Sequence, residues 1–163
     1  MNFLSKLTIL SVILMLISCA NNKEISLIKE INQEAEMIQA YKDGVKALEE
    51  NDTFFAVSKF LESELLYPQS EWASKSSLMA SYAYYIENNY SEAIYNLERF
   101  LKTYPKETRL DYVHYLMGLC YYENIEGEKK DLKPLLEAKK KFNIIIDNYP
   151  DTDFALDSKF KIG

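Results

Sequence analysis

The sequence predicts an all-α solenoid of antiparallel helix pairs, and three observations carry that expectation. Ala56, Phe60 and Pro68 recur as Ala93, Leu97 and Pro105, and again as Ala138, Phe142 and Pro150, each set spaced by four and then eight residues. A tyrosine precedes each proline, at Tyr67, Tyr104 and Tyr149. A small residue stands upstream of each set, at Gly44, Ser81 and Gly118, where two helices must approach closely. A helix pair with a small residue at its crossing and a proline just past its second helix is the pattern of a tetratricopeptide repeat. Three such repeats and the start of a fourth fit the chain as a right-handed superhelix, so function is to be sought in a groove.

The first eighteen residues read as an export signal. Residues 1–6 carry one positive charge, residues 7–17 form an eleven-residue, mostly apolar run, and the small residues Ser18, Cys19 and Ala20 follow. The run is too short to span a bilayer, which takes about 20 apolar residues. Leu16, Ile17, Ser18 and Cys19 resemble the bacterial lipobox, which marks Cys19 as the acylated N-terminus of the mature chain. It would carry diacylglycerol and an N-acyl lipid, with no other cofactor expected. In Gram-negative chains with this motif, a residue other than Asp after the cysteine implies sorting to the outer membrane, and here it is Ala20. Residues 19–33 are then a polar tether. With Cys19 acylated, Cys120 has no thiol partner, and its setting among Met117, Leu119 and Tyr121 predicts a small buried residue.

Residues 34–70 form the first repeat. Met37, Ile38, Tyr41, Val45 and Leu48 recur at helical spacing along residues 34–50, and Asn51 and Asp52 break that helix. A second helix over residues 54–66 places Val57, Phe60, Leu61 and Leu65 on one face, and Pro68 stops it. The second repeat, residues 71–107, has helices over 72–87 and 91–103, with Asn88, Asn89 and Tyr90 as the turn before a Ser91 cap. The third, residues 108–152, has helices over 110–122 and 135–148. Small residue and alanine lie twelve apart in the first two repeats and twenty apart in the third, so about eight residues are inserted within 123–134, a polar, glycine-containing solvent loop. From each proline to the next small residue is thirteen positions, ending with Pro150 to Gly163. Residues 153–163 therefore read as the start of a fourth repeat in a longer gene product, with no capping helix after it.

Composition narrows the function classes. The 163 residues are 48% hydrophobic and 27% charged, a globular balance with little left for a second domain. A net charge of -6 argues against nucleic acid as the partner, because phosphate binding needs a basic face and no arginine-rich run supplies one. His114 is the only histidine, so no histidine-based metal cluster is expected; beside Asp111 and Tyr115 it reads as part of a hydrogen-bonded helix surface. Glu49 with Glu50, and Glu62 with Glu64, read as solvated helix faces, not as an acid/base couple. No nucleophile motif or glycine-rich phosphate loop occurs, and no enzymatic activity is expected.

The repeats, the lipobox, the run Leu110, Asp111, Tyr112, Val113, His114, Tyr115, Leu116, Met117, Gly118 and Leu119, and the segment 78–85 followed by Tyr90, Ala93, Arg99, Phe100, Tyr104 and Pro105 together resemble the BamD family of outer-membrane assembly lipoproteins. The resemblance covers nearly all of residues 19–163. It implies a lipid-anchored adaptor on the periplasmic side of the outer membrane, part of the machinery that folds β-barrels there. Implied partners are a BamA-like barrel subunit, other lipoproteins of the complex and unfolded outer-membrane precursors. Contacts that the family makes through later repeats do not carry over. The competing reading is another envelope repeat lipoprotein, a pilotin-like secretion factor or a division and peptidoglycan coordinator, with the same anchor and groove but a different partner.

In a stack of this kind each first helix lines the concave face, and groove positions recur four and then three residues apart. They project onto Tyr41, Val45 and Leu48; Leu78, Tyr82 and Tyr85; and Tyr115, Leu119 and Tyr122. Tyr41, Tyr82, Tyr85, Tyr115 and Tyr122 are thus the candidate peptide contacts, since tyrosine offers wide amphipathic contact at low rotamer cost. The bland reading of each is packing between repeats. Trp72, at a helix start after Pro68, reads as packing against the preceding repeat.

Overall fold

The computed structural model describes residues 22–125 and 132–163, with side chains from residue 32 onward. Cys19, the signal segment and residues 126–131 of the insert lie outside the described residues. Among the described residues the structure is seven α-helices joined by short connections: α1 (Asn22–Glu49), α2 (Thr53–Leu66), α3 (Glu71–Ile86), α4 (Tyr90–Thr103), α5 (Leu110–Glu123), α6 (Lys133–Asn148) and α7 (Asp153–Ile162). Most helix ends fall within two residues of the sequence reading, and α6, with Pro134 in its first turn, begins at Lys133 inside the segment read as inserted loop. Helix α1 begins at Asn22, inside the segment read as a tether, and α4 begins at Tyr90 with Asn89 at its cap position, so Ser91 lies in the first turn and caps nothing.

The first two hairpins turn in the same way. Asn51 and Asn88, 37 positions apart, both sit at φ 60, a left-handed conformation that asparagine tolerates better than most residues. After each, an amide reaches back five residues to close the helix end: Asp52 N–H to the Ala47 carbonyl at 2.8 Å and Asn89 N–H to the Tyr84 carbonyl at 2.9 Å. Asp52 then caps α2 by accepting from Phe55 N–H at 3.1 Å.

Close crossings follow the small residues. A Cβ on Gly44 would lie 2.8 Å from the Phe60 ring, and one on Gly118 would lie 2.6 Å from the Phe142 ring, inside any tolerable contact. The second repeat has Ser81 and Leu97 at the corresponding positions, a larger residue in register with a smaller one.

Neighbouring helices in sequence pack on one another throughout, and α1 also meets α3, α3 meets α5 and α5 meets α7. Among the described residues the backbones of α2, α4 and α6 do not approach one another in this way, and α2 reaches α4 only through long side chains, Glu64 to Arg99. First helices therefore stand closer together than second helices, which makes them the inner layer of the curve.

Two kinds of filling join the repeats. Between the second and third, Leu97, Phe100, Val113, Leu116, Met117 and Cys120 form one buried apolar cluster. Burial pushes the Cys120 thiol up to about 12, consistent with its reading as a small packed residue. Between the first and second, the apolar cluster is smaller, Ala47, Ala56, Phe60 and Ala80, and buried polar groups fill the rest. The Ser63 hydroxyl donates to the Met37 carbonyl at 3.0 Å and lies 2.9 Å from the Ser76 hydroxyl.

Glu64 corrects the sequence reading of a solvated acidic face: it is 5% exposed, while Glu62 stays in solvent. Both carboxylate oxygens of Glu64 accept from Arg99 at 2.6 Å, and the Tyr104 hydroxyl donates to it at 2.8 Å. Arg99 also donates to Ser77 and to Asn96, whose amide in turn donates to the Ser77 carbonyl and the Ser81 hydroxyl. Leu65, read as sharing the inward face of α2, instead points outward at 76% exposure. Of the surface read as hydrogen-bonded, Asp111 accepts from Tyr112 N–H and Tyr115 donates to Asp157, but His114 is half-buried with Nδ1 unpartnered among the described residues, and burial and then Lys141 lower its pKa.

Candidate functional site

The inner layer presents aromatic side chains from α3, α5 and α7, and the structure sorts the candidate tyrosines into two groups. Tyr41 is packing: its ring meets Phe60 at 5.5 Å and Trp72 at 5.1 Å, both edge-on, so it wedges the first repeat against the second. Trp72 thereby packs on the preceding repeat, with the Lys75 ammonium 4.7 Å over its ring. Tyr115 is also engaged. Its ring lies between Phe142 at 6.2 Å and Phe154 at 5.0 Å, and its hydroxyl donates to Asp157 on α7 at 2.5 Å. Burial and then that bond to Asp157 push the Tyr115 phenol well above its usual range.

Tyr82, Tyr85 and Tyr122 are more open. Tyr82 and Tyr122 are 36% and 40% exposed. Tyr85 is half-buried, with its ring 5.9 Å from Tyr90 and its phenol raised, by burial first and then by the Glu123 carboxylate. Of the other projected positions, Leu78 is buried, whereas Val45, Leu48 and Leu119 are half-buried.

Two inner-layer residues escaped the projection. Tyr112 lies one turn before Tyr115 on the same face of α5, and its ring sits 5.4 Å from Phe154 at the start of α7. Burial pushes its phenol up to about 12, with Tyr82 and Tyr85 contributing next. Extending the spacing of four and three by one turn toward the N-terminus would have found Tyr112. Phe154 has no such signal, because only the docking of α7 on α5 brings it in. The hydroxyls of Tyr82, Tyr85 and Tyr112 make no hydrogen bond to another described residue, so this surface offers ring faces together with unspent donors and acceptors.

Beyond Tyr122 the inner layer opens into a cleft of about 310 Å³, lined by Tyr122, Leu135, Leu136, Phe142, Lys161 and Ile162 among others. The Lys161 ammonium sits 5.5 Å over the Tyr122 ring and 3.8 Å from Asp157. Among the described residues no three histidine, cysteine or carboxylate side chains gather as a metal site would require. The surface is therefore equipped for contact along an extended apolar or aromatic segment, with lysines at one end.

No helix among the described residues is long and apolar enough to cross a membrane. Residues 33–163 match the model of the YfiO family, described as outer membrane lipoprotein. The chain is 35% identical over 122 residues to the outer membrane protein assembly factor BamD of Caulobacter vibrioides, an alignment covering 75% of this chain and 40% of that protein. It is 28% identical over 122 residues to BamD of Rickettsia prowazekii, covering 75% and 49%, and 25% identical over 155 residues to BamD of Neisseria meningitidis serogroup A, covering 89% and 58%. It thus spans between two-fifths and three-fifths of the length of these relatives. With its stacked helix pairs and a family match running from the middle of α1 through α7, the chain belongs to the YfiO/BamD family of outer membrane lipoproteins.

Proposed function

We propose that this chain is a lipid-anchored adaptor of the outer-membrane β-barrel assembly machinery, receiving unfolded barrel precursors on its inner layer and scaffolding other subunits. The observation that carries the reading is the aromatic surface of the exposed Tyr82 and Tyr122 and the half-buried Tyr85 and Tyr112 on helices of adjacent repeats, in a chain related to proteins named as assembly factors. Such rings accept successive side chains of an extended segment without demanding one sequence, which suits a receiver of many precursors. In this reading the partners are a BamA-like barrel subunit and companion lipoproteins, the anchor is the acylated Cys19, and the protein faces the periplasm. Nothing in the role requires a reaction at the groove.

Binding of a peptide from the C-terminus of a barrel precursor tests the groove. Tyr82→Ala and Tyr122→Ala should each weaken binding by about 1 to 3 kcal/mol if they are hot spots, with little change in melting temperature. Tyr41→Ala should do the reverse, because its ring is spent on Phe60 and Trp72. Unchanged peptide affinity in both exposed variants would move the receiving site elsewhere. The anchor is tested by Cys19→Ala, which should leave an unprocessed precursor without palmitate label. Purification of the wild type from detergent-solubilised envelopes should bring barrel-assembly subunits, and recovery of secretin or peptidoglycan factors alone would overturn the assignment.

A further inference from the structure

The outward faces of the three second helices should be alike, since each looks away from the inner layer. Those of α4 and α6 bear Ser91, Tyr95, Glu98 and Lys102, and Leu136, Lys140, Asn143 and Asp147. The corresponding residues of α2 are Phe54, Ser58, Leu61 and Leu65, spaced four, three and four apart along one stripe. Phe54 is 88% exposed and Leu65 76% exposed, with the half-exposed Phe55 beside them. Ser58, Leu61, Glu62, Leu65 and Leu66 line a shallow groove of about 420 Å³ there. Leu61 is half-buried against the core, so the apolar surface runs from it out to Phe54 and Leu65, and a helix with apolar residues on its outward as well as its inward side has a second face that can accept another helix.

Charge says what kind of helix. Residues 32–70 hold eight acidic and three basic side chains, and with Glu64 buried against Arg99 seven acids remain exposed or half-buried beside three lysines. Asp43, Glu50 and Asp52 line a second hollow, of about 290 Å³, at the Phe55 end, where Lys46 already pairs with Glu50 at 3.7 Å. At the other end Glu62 remains half exposed, and Lys59 is held against it at 2.6 Å. A lipid surface is disfavoured, because interfacial helices carry lysine or arginine along their polar face, whereas on α2 Lys59 is paired with Glu62 and the flanking α1 and turn carry excess acid. We propose that the outward face of α2 docks an amphipathic helix of a partner protein, with apolar residues at i, i+3 or i+4 and i+7, flanked by lysine or arginine.

The test places a photo-crosslinking residue at position 54 or 65 of the full chain, and at the corresponding α4 position 102, in intact cell envelopes. Positions 54 and 65 should each give a discrete adduct whose crosslinked peptide maps to a basic, helical, apolar-striped segment, and position 102 should give none. Leu65→Asp combined with the crosslinker at 54 should reduce that adduct at least tenfold while leaving the melting temperature within a few degrees of wild type. Absence of any adduct, an adduct to a second copy of this chain, to phospholipid or to an acidic segment would each overturn the proposal. So would equal labelling from position 102.

Discussion

The junction between the first and second repeats and the junction between the second and third are built from equivalent helices, yet one adds a charged network to a small apolar cluster and the other is filled by hydrocarbon and a thiol. Four residues beyond the apolar anchor of each second helix stand Glu64, Leu101 and Ile146; two beyond it stand Glu62, Arg99 and Ile144. In the first junction Glu64 and Arg99 meet across repeats, whereas in the second Leu101 packs beside Phe100 and Met117. The difference teaches what each filling is good for. Hydrocarbon gives more stability but tolerates sliding. A bidentate ion pair adds little net stability, because both charges lose water on burial, yet it accepts only one relative orientation. The first repeat is thus aimed by geometry, and the third is held by area.

Removing a large apolar side chain from the second junction should have the largest effect. Phe100→Ala should cost about 3 to 5 kcal/mol, because the ring is wholly buried in the cluster and the void cannot close fully. The loss, measured by urea unfolding, should be the same in 0.1 M and 1 M salt. A salt-dependent loss would mean that this junction too relies on charge.

Breaking the ion pair from one side should come next. Glu64→Leu should cost roughly 1 to 3 kcal/mol, below the range for a fully buried pair because Arg99 is 36% exposed and water screens part of its charge. The double variant Glu64→Leu with Arg99→Met should be more stable than Glu64→Leu alone, since no stranded charge remains. It should also show faster hydrogen exchange at the turn between α2 and α3 if orientation is what the pair supplies. A double variant as destabilised as the sum of its singles would show two independent contacts in place of one clasp.

The smallest effects are read by pH, within the second repeat and at the second junction. Glu107 accepts from the Ser74 hydroxyl at 2.5 Å, and that bond, followed by those from Thr108, holds its carboxyl below the usual carboxylate range. A lowered folded-state value stabilises above the unfolded value of about 4.3, and the contribution disappears as pH falls through the folded value. Cys120 behaves oppositely. Its thiol, pushed up to about 12, stays protonated when folded, while the unfolded chain begins to ionise near 8.5. Its contribution is complete below about 8.5 and is lost as pH rises toward 12. Acid should therefore loosen α3 against the loop after α4, and alkali should loosen α5. Glu107→Gln should blunt the acid response, and Cys120→Ala the alkaline one. Responses unchanged in these variants would assign them to other groups.

Repeat spacing, small residues at the crossings, prolines after the second helices and asparagines at the first two turns were all readable along the chain. Each acts locally or through a contact between consecutive helices. Gly44 against Phe60, Gly118 against Phe142, the burial of Cys120 and the packing of Trp72 all belong to that kind. The burial of Glu64 does not. Helix α2 is apolar on nearly every side, so periodicity cannot say which side is inside, and the partner that makes a buried carboxylate tolerable lies 35 residues away on α4. The tyrosines make the same point. Tyr41 and Tyr115 share one position of the repeat and are both spent on neighbouring aromatic rings, yet Tyr122, seven residues beyond Tyr115 on the same helix, remains 40% exposed. Sequence determined that this chain would stack helix pairs and bring tyrosines to their inner layer. Which tyrosines stayed open, and which junction became charged, was decided only by the helices stacked against them, because exposure is a property of the neighbours as much as of the residue.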